Sequence, residues 1–299
     1  MTDERPYVDR RVVDLDAADA VAIAAAADWD LAHPELLRRG MNAIYACDEV
    51  VLRVGRASAP AASSHALASM LLGAGVPTTR PIESLAADRD GFAVTAWERI
   101  EISETPVDWE AVGAAVRTVH DLDAAAVPAE YPTPSPSAFP WWDFDAMLAD
   151  TADHIDERPL ARIRSVIDEG RWWRDAVGVD ATVCHGDVHP GNVLVADRGP
   201  LLIDWDLLCV AAPAWDHAML TTYAERWGGA PGVYAAFASG YGTSLVDDEL
   251  TVTIARLRNV AATLMRVKAG LDEPSAMTEA KRRLRYWAGD PDAPAWRAQ

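Results

Sequence analysis

The stretch VCHGDVHPGNVLV, residues 183–195, sets two histidines, an aspartate and an asparagine between two runs of β-branched residues. Two chemistries suit those side chains at that spacing. His185 and His189 offer imidazole nitrogens to a metal such as zinc. Alternatively, the loop aims Asp187 at a substrate hydroxyl and offers Asn192 to magnesium, which prefers hard oxygen donors in tight octahedral geometry. Further on, PLLIDWD (200–206) ends an apolar run at Asp204, a second oxygen donor that a strand would deliver. Moving a γ-phosphoryl group needs such a set: a divalent cation and a basic side chain against the phosphate charge, and a carboxylate that orients the acceptor hydroxyl.

The elements around these residues follow from hydrophobic period and turn signals. DLDAADAVAIAAAADW (14–29) has the composition of an alanine-rich helix with acids at its start. AIYA and VVLRV are β-rich runs around a turn at Cys47-Asp48-Glu49, and AASSHALASMLLGAGV (61–76) is helical, stopped by Gly73, Gly75 and Pro77. RPIESLAADRDGFAVTAWE (80–98) reads as two strands joined by the turn DRDG. From Asp108 the pattern becomes helical, interrupted by VPAEYPTPSPSAFP (127–140), whose five prolines predict an extended connector. Helical patterns return at 143–156, 158–177, 214–227, 231–241, 247–268 and 275–287. The expected class is α+β, with a small antiparallel-sheet lobe carrying one inserted helix and a larger, mainly helical lobe.

HGDVHPGN followed by LLIDWD resembles the signature of the aminoglycoside phosphotransferase family, small-molecule kinases that share the protein-kinase fold. The resemblance runs from about residue 36 to residue 245. It implies a nucleotide-binding lobe over 1–98, a hinge at 99–104 and a helical lobe over 105–299. It also implies Asp187 as catalytic base, Asn192 and Asp204 as Mg²⁺ ligands, and ATP or GTP as phosphoryl donor. RRGMNAIYACDEVVLRVG is similar to the family's glycine-containing hairpin over the phosphates, which puts Gly40 and Asn42 at the nucleotide. VTAWERIE falls where the family has its interlobe segment, which puts Trp97 and Glu98 near the base. His185, Asp206 and Asp216 take supporting places: a loop brace, an acid beside the metal, and a cap or brace. Two positions depart from the pattern. Arg53 stands where the fold usually has lysine, the chain's two lysines being Lys268 and Lys281, and His65 stands near the usual glutamate of the inserted helix. A phosphate-binding cation on that strand is therefore expected to be Arg53, with a bidentate fork in place of a point charge.

Net charge and cysteine usage narrow the rest. The chain carries −19 overall, with −18 of it in residues 97–253. That excludes an ordinary nucleic-acid-binding face and suits a cationic small molecule as well as plain solubility. Glu225, Asp247, Asp248 and Glu249 are acids that could meet such a molecule, although a helix start accounts for the last three equally. Three cysteines without C-x-x-C spacing fit a reducing, cytoplasmic setting. No apolar run reaches the roughly 20 residues of a spanning helix, and MTDERPYVDRR lacks the layout of a secretory leader. His120, His217 and most of the 12 tryptophans are expected to be structural. A dinuclear phosphoesterase, suggested by Gly-Asp-x-His, lacks the further ligand motifs it needs. Aminoglycosides or related basic antibiotics, amino sugars, choline-like alcohols and macrolides all fit the scaffold as acceptors.

Overall fold

The computed structural model describes residues 12–57 and 59–297; the MTDERPYVDRR segment lies outside them. In chain order the elements are α1 (Leu15–Asp28), β1 (Glu35–Arg39), β2 (Ala43–Cys47), β3 (Val50–Arg56), α2 (Ala61–Gly73), β4 (Pro81–Arg89) and β5 (Phe92–Glu98). Then come α3 (Trp109–His120), α4 (Phe144–Thr151), α5 (Glu157–Gly170), α6 (Trp173–Ala176), β6 (Thr182–Cys184), β7 (Val193–Ala196), β8 (Gly199–Leu202) and β9 (Cys209–Ala211). The chain ends in α7 (Ala214–Thr221), α8 (Tyr223–Trp227), α9 (Val233–Tyr241), α10 (Glu249–Asp272) and α11 (Pro274–Trp287). None of these helices is long and apolar enough to cross a membrane. The three cysteines are free and buried.

Two compact units emerge. The first comprises residues 1–108, 121–133 and 190–204; the second comprises 109–120, 134–189 and 205–299. In the first, five antiparallel strands lie in the order β1-β2-β3-β5-β4. The β2–β3 loop turns through Asp48, and the β4–β5 hairpin turns through Asp90 and Gly91, both at positive φ. The Asp90-Gly91 turn, with both residues at positive φ, matches the right-handed twist of its flanking strands. Asp14 caps α1 by accepting from the Ala17 amide at 2.9 Å. Ala18, Val21, Ala22 and Ala25 then recur at helical spacing and bury one face among Tyr45, Leu52, Val54 and Val94. The β7–β8 hairpin joins this unit late in the chain, because Val195 accepts from the Ser103 amide and Leu202 from the Thr78 hydroxyl.

β1 was not expected from the sequence. Glu-Leu-Leu-Arg-Arg is exposed throughout and sits at the sheet edge, so it carries no alternating apolar face to read. The proline-rich connector is also less extended than its composition predicts. It makes 3₁₀ turns at Pro136–Ala138 and Pro140–Trp142, each opening on a proline whose missing N–H costs nothing at that position.

In the second unit, α10 is the central helix, packing on α4, α5, α7 and α11. Helices α3 and α9 meet through two glycines: a Cβ at Gly113 would lie 2.0 Å from the Phe237 carbonyl, and one at Gly240 would lie 1.8 Å from the Glu110 carbonyl. Trp142, Trp173 and Trp215 are almost fully buried, with ring centroids 4.5–6.0 Å apart, and form an aromatic centre beneath the loop that follows β6. Truncating any of these rings to alanine would cost about 3–5 kcal/mol.

Candidate active site

Strand β6 pairs with β9 and hands the chain directly into His185-Gly186-Asp187. Gly186 has φ +91°, and a Cβ there would lie 1.9 Å from the Leu207 carbonyl oxygen, so the turn admits only glycine. Asp216, on the first turn of α7 and wholly buried, holds the turn from below. Its carboxylate accepts from the His185 and Gly186 amides at 2.8 Å each. His120 Nε2 stands 3.1 Å from the same carboxylate, while its Nδ1 meets the Tyr241 hydroxyl at 2.9 Å. Burial would push the Asp216 carboxyl up, but the hydrogen bond and charge of His120, aided by His185 and the Gly186 amide, bring it below the usual range. Asp216 is thus a brace by geometry, and His120 is the residue that orients it.

Within the loop, His185 Nδ1 accepts from the Asp187 amide at 3.3 Å, and its ring packs 4.5 Å from that of Trp205. The Asp187 side chain is 30% exposed, with His189 Nε2 3.3 Å from Oδ2 and Arg258 Nη1 3.7 Å from Oδ1. Burial alone would raise this carboxyl; His189, Arg258 and His185 outweigh it and hold it at about 2. Asp187 is therefore ionised at any ordinary pH, as an acceptor that orients a hydroxyl should be. Each imidazole of the loop spends one nitrogen on Asp187, His185 on its backbone amide and His189 on its carboxylate. Among the described residues, His120, Cys184 and Asp216 are the one trio of metal-capable side chains within 4.8 Å of each other. There the Asp216 oxygens already receive two amides and an imidazole.

The first unit gathers a different set. β7 and β8 pair from Val193↔Leu202 to Ala196↔Gly199, so Asn192 and Asp204 flank the same end of the hairpin, and the Asn192 carbonyl accepts from the Ile203 amide at 3.0 Å. Asp204 takes φ +63°, a left-handed conformation that Asp tolerates better than most residues. Arg53 Nη2 on β3 lies 3.8 Å from Asp204 Oδ1. With the Asn42 amide turned so that its oxygen faces the guanidinium, that oxygen accepts from Arg53 Nη2 at 2.7 Å and Nε at 3.3 Å. The Asn42 side chain also fills the space over Gly55, where a Cβ would be 2.2 Å from it. Carboxylate and amide oxygens at one end of one hairpin suit the hard-donor demand of Mg²⁺.

The remaining predicted residues fall into place individually. The Gly40 amide donates to the Asn42 carbonyl at 3.0 Å. Trp97 Nε1 donates to the Thr95 hydroxyl, and His65 meets the Trp97 ring edge-on at 5.0 Å. His65 is buried, and burial keeps its imidazole below its usual range. The cation at position 53 is thus engaged by Asn42 and Asp204. Glu98 pairs with Arg80 at 3.9 Å and with Arg198. Asp206 lies half-buried in the 3₁₀ turn Trp205–Leu207. Of the acids offered to a cationic molecule, Asp248 proves to be the α10 cap, accepting from the Thr251 amide at 2.8 Å, and Glu225 pairs with Arg226. Sequence reasoning missed Arg258, because nothing in ARLRNVAA distinguishes a helix arginine that faces inward.

Comparison with known proteins follows the same line. The model of the phosphotransferase enzyme family matches residues 42–287. No curated protein matches the chain. Among solved structures, an aminoglycoside 2′-phosphotransferase-IIIa in complex with GDP is similar at TM-score 0.67 and 13% identity, over 91% of this chain and 97% of that one. A choline/ethanolamine kinase family protein from Mesorhizobium loti is similar at TM-score 0.64 and 17% identity, over 94% and 95%. A spectinomycin phosphotransferase in complex with ADP and spectinomycin is similar at TM-score 0.62 and 16% identity, over 86% and 89%. These likenesses establish the protein-kinase-like fold, and the match of most of the chain to the family model makes this protein a member of the phosphotransferase enzyme family, an enzyme that transfers phosphoryl groups to hydroxyls.

Proposed function

We propose that this enzyme moves the γ-phosphoryl group of ATP or GTP to a hydroxyl on a small polar acceptor, with a cationic acceptor favoured by the −19 net charge. The observation that carries the reading is the Asp187 loop: an ionised, part-exposed carboxylate on a turn whose backbone is pinned by a buried acid. Asp187 accepts a hydrogen bond from the acceptor hydroxyl and takes its proton as the new O–P bond forms. The bond between the γ-phosphorus and the β–γ bridging oxygen breaks, and the nucleoside diphosphate leaves with that electron pair. With the carboxyl held near 2, Asp187 orients the hydroxyl first and receives the proton late, in keeping with a loose transition state. Asn192 and Asp204 would hold Mg²⁺, which supplies charge neutralisation at the triphosphate. Arg53 offers its fork to phosphate oxygens. Gly40 and Asn42 belong to the nucleotide hairpin, and Trp97 and Glu98 to the segment nearest the base. Asp206 supports the metal ligands.

The structurally similar proteins are named for spectinomycin, aminoglycosides and choline or ethanolamine, hydroxyl compounds that mostly carry amines. The test is a magnesium-dependent screen for nucleoside diphosphate release, run with ATP and GTP across basic antibiotics, amino sugars and amino alcohols. Release driven by one amine-bearing class supports the reading. Nucleotide binding without release under any acceptor would favour a kinase-like binding protein, the reading that the Arg53 and His65 departures raise.

A further inference from the structure

Arg258 projects from the middle of α10, and its side chain is only 12% exposed. Nη2 donates to the Gly186 carbonyl at 2.9 Å and to the Trp215 carbonyl at 3.2 Å. The guanidinium carbon lies 4.6 Å from the centroid of the Trp215 ring. Nη1 faces Asp187 Oδ1 at 3.7 Å. The Gly186 peptide is consequently gripped at both ends. Asp216 takes its N–H, while Arg258 and Trp215 Nε1, the latter at 3.1 Å, both donate to its carbonyl. Asp187 itself sits between two nitrogen-bearing groups, with Arg258 at one carboxylate oxygen and His189 at the other.

A buried guanidinium is costly unless several partners share its charge. Here two carbonyls, an indole face and a carboxylate do so, and all four belong to the catalytic loop or to the helix that braces it. Nε has no partner among the described residues, so the side chain is committed through its two Nη groups alone. A lysine would keep the charge but place it on a single nitrogen, without the planar fork that turns one nitrogen to the carbonyl and the other to the carboxylate.

We infer that Arg258 is a positioning residue for phosphoryl transfer: it locks the carbonyl of the residue before the base and fixes the direction in which the Asp187 carboxylate points. Its role in the reaction rests on the function proposed above; its hold on the loop does not. The experiment therefore reads both. Asp187 ionisation is followed by ¹³C resonance of its side-chain carboxyl, assigned with Asp187→Asn, from about pH 1.5 to pH 6 in wild type, Arg258→Met and Arg258→Lys. The groups facing Asp187 are Arg258, His189 and His185, so His189→Gln serves as the control for the second cation. Hydrogen exchange at residues 185–187 is measured on the same proteins.

Arg258→Met is expected to raise the Asp187 midpoint by about one unit or more and to speed loop exchange about tenfold or more. Arg258→Lys is expected to leave the midpoint low while loop exchange still rises, and this variant decides the matter if the methionine variant fails to fold. With an acceptor in hand, kcat should fall about 10- to 100-fold while the nucleotide KM stays within about twofold. Unchanged ionisation and unchanged exchange in both variants would overturn the inference. Shifts in both without phosphoryl transfer to any acceptor would leave Arg258 as the loop's anchor and remove the kinase reading instead.

Discussion

The loop around Asp187 and the cluster around Asp204 are built on opposite principles. Asp187 stands on a turn held by a buried carboxylate, an imidazole, an indole N–H and a guanidinium, most of them shut off from water. Asp204 is 43% exposed, Arg53 is 22% exposed, and Arg53 Nη2 stands a long 3.8 Å from Asp204 Oδ1. A long, part-exposed ion pair gains little from its own attraction. It is suited to exchanging that partner for phosphate and a divalent cation. On the function proposed above, the base is placed in advance by the fold, whereas the charges assigned to the nucleotide are left adjustable.

The sharpest way to break that comparison is to remove the base. Asp187→Asn should lower kcat about 10³-fold with nucleotide affinity within about twofold, checked by steady-state kinetics and nucleotide titration. A normal rate would end the assignment of Asp187. Asp216→Asn probes the brace below it. Two loop amides and His120 would lose their charged acceptor, so chemical denaturation should show a loss of about 3 kcal/mol, with activity falling alongside. A change within 0.5 kcal/mol, about the noise of a surface substitution, would mean that the loop holds itself.

The braced unit should also be the acid-sensitive one. His217, next to Asp216, is buried against Phe237 and Tyr241, and burial, seconded by His120, depresses it to about 4. Its imidazole is thus neutral in the fold while the unfolded chain protonates it near 6.5. Stability from this group is complete above pH 6.5 and is lost as pH falls from 6.5 toward 4, by at most about 3 kcal/mol. His217→Gln should flatten that part of a denaturation-versus-pH curve. On the open side the effects should be smaller and confined to binding. Arg53→Ala is expected to weaken magnesium-nucleotide binding about tenfold, the loss of one charged hydrogen bond, with the melting temperature unmoved. A large drop in melting temperature would show that Arg53 holds the sheet together and would erase the contrast.

How much of this was legible beforehand varies residue by residue. Asp187, Asn192 and Asp204 stood out because phosphoryl transfer needs those donor types, and their spacing within HGDVHPGN and LLIDWD is a strong local signal. The helix α3, which buries Val112, Val116 and Val119 along one face, the alanine-rich α1 and the DRDG hairpin were readable for the same reason: period, composition and turn chemistry are local. β1 was not, since an edge strand exposed on all positions has no pattern to display. Asp216 was readable as a cap or brace, but its two amide partners lie some 30 positions earlier and could not be named.

By itself the sequence determined most of the elements and the family, and it named the proposed oxygen donors, because each depends on residues close together in the chain. Only the tertiary structure decided that Arg258 and His120 close on the Asp187 loop and that Asn42 and Asp204 receive Arg53. Those pairings depend on which helix face is turned inward once the core is packed. Burial then makes most lone polar groups find a partner from whatever part of the chain the packing brings within reach.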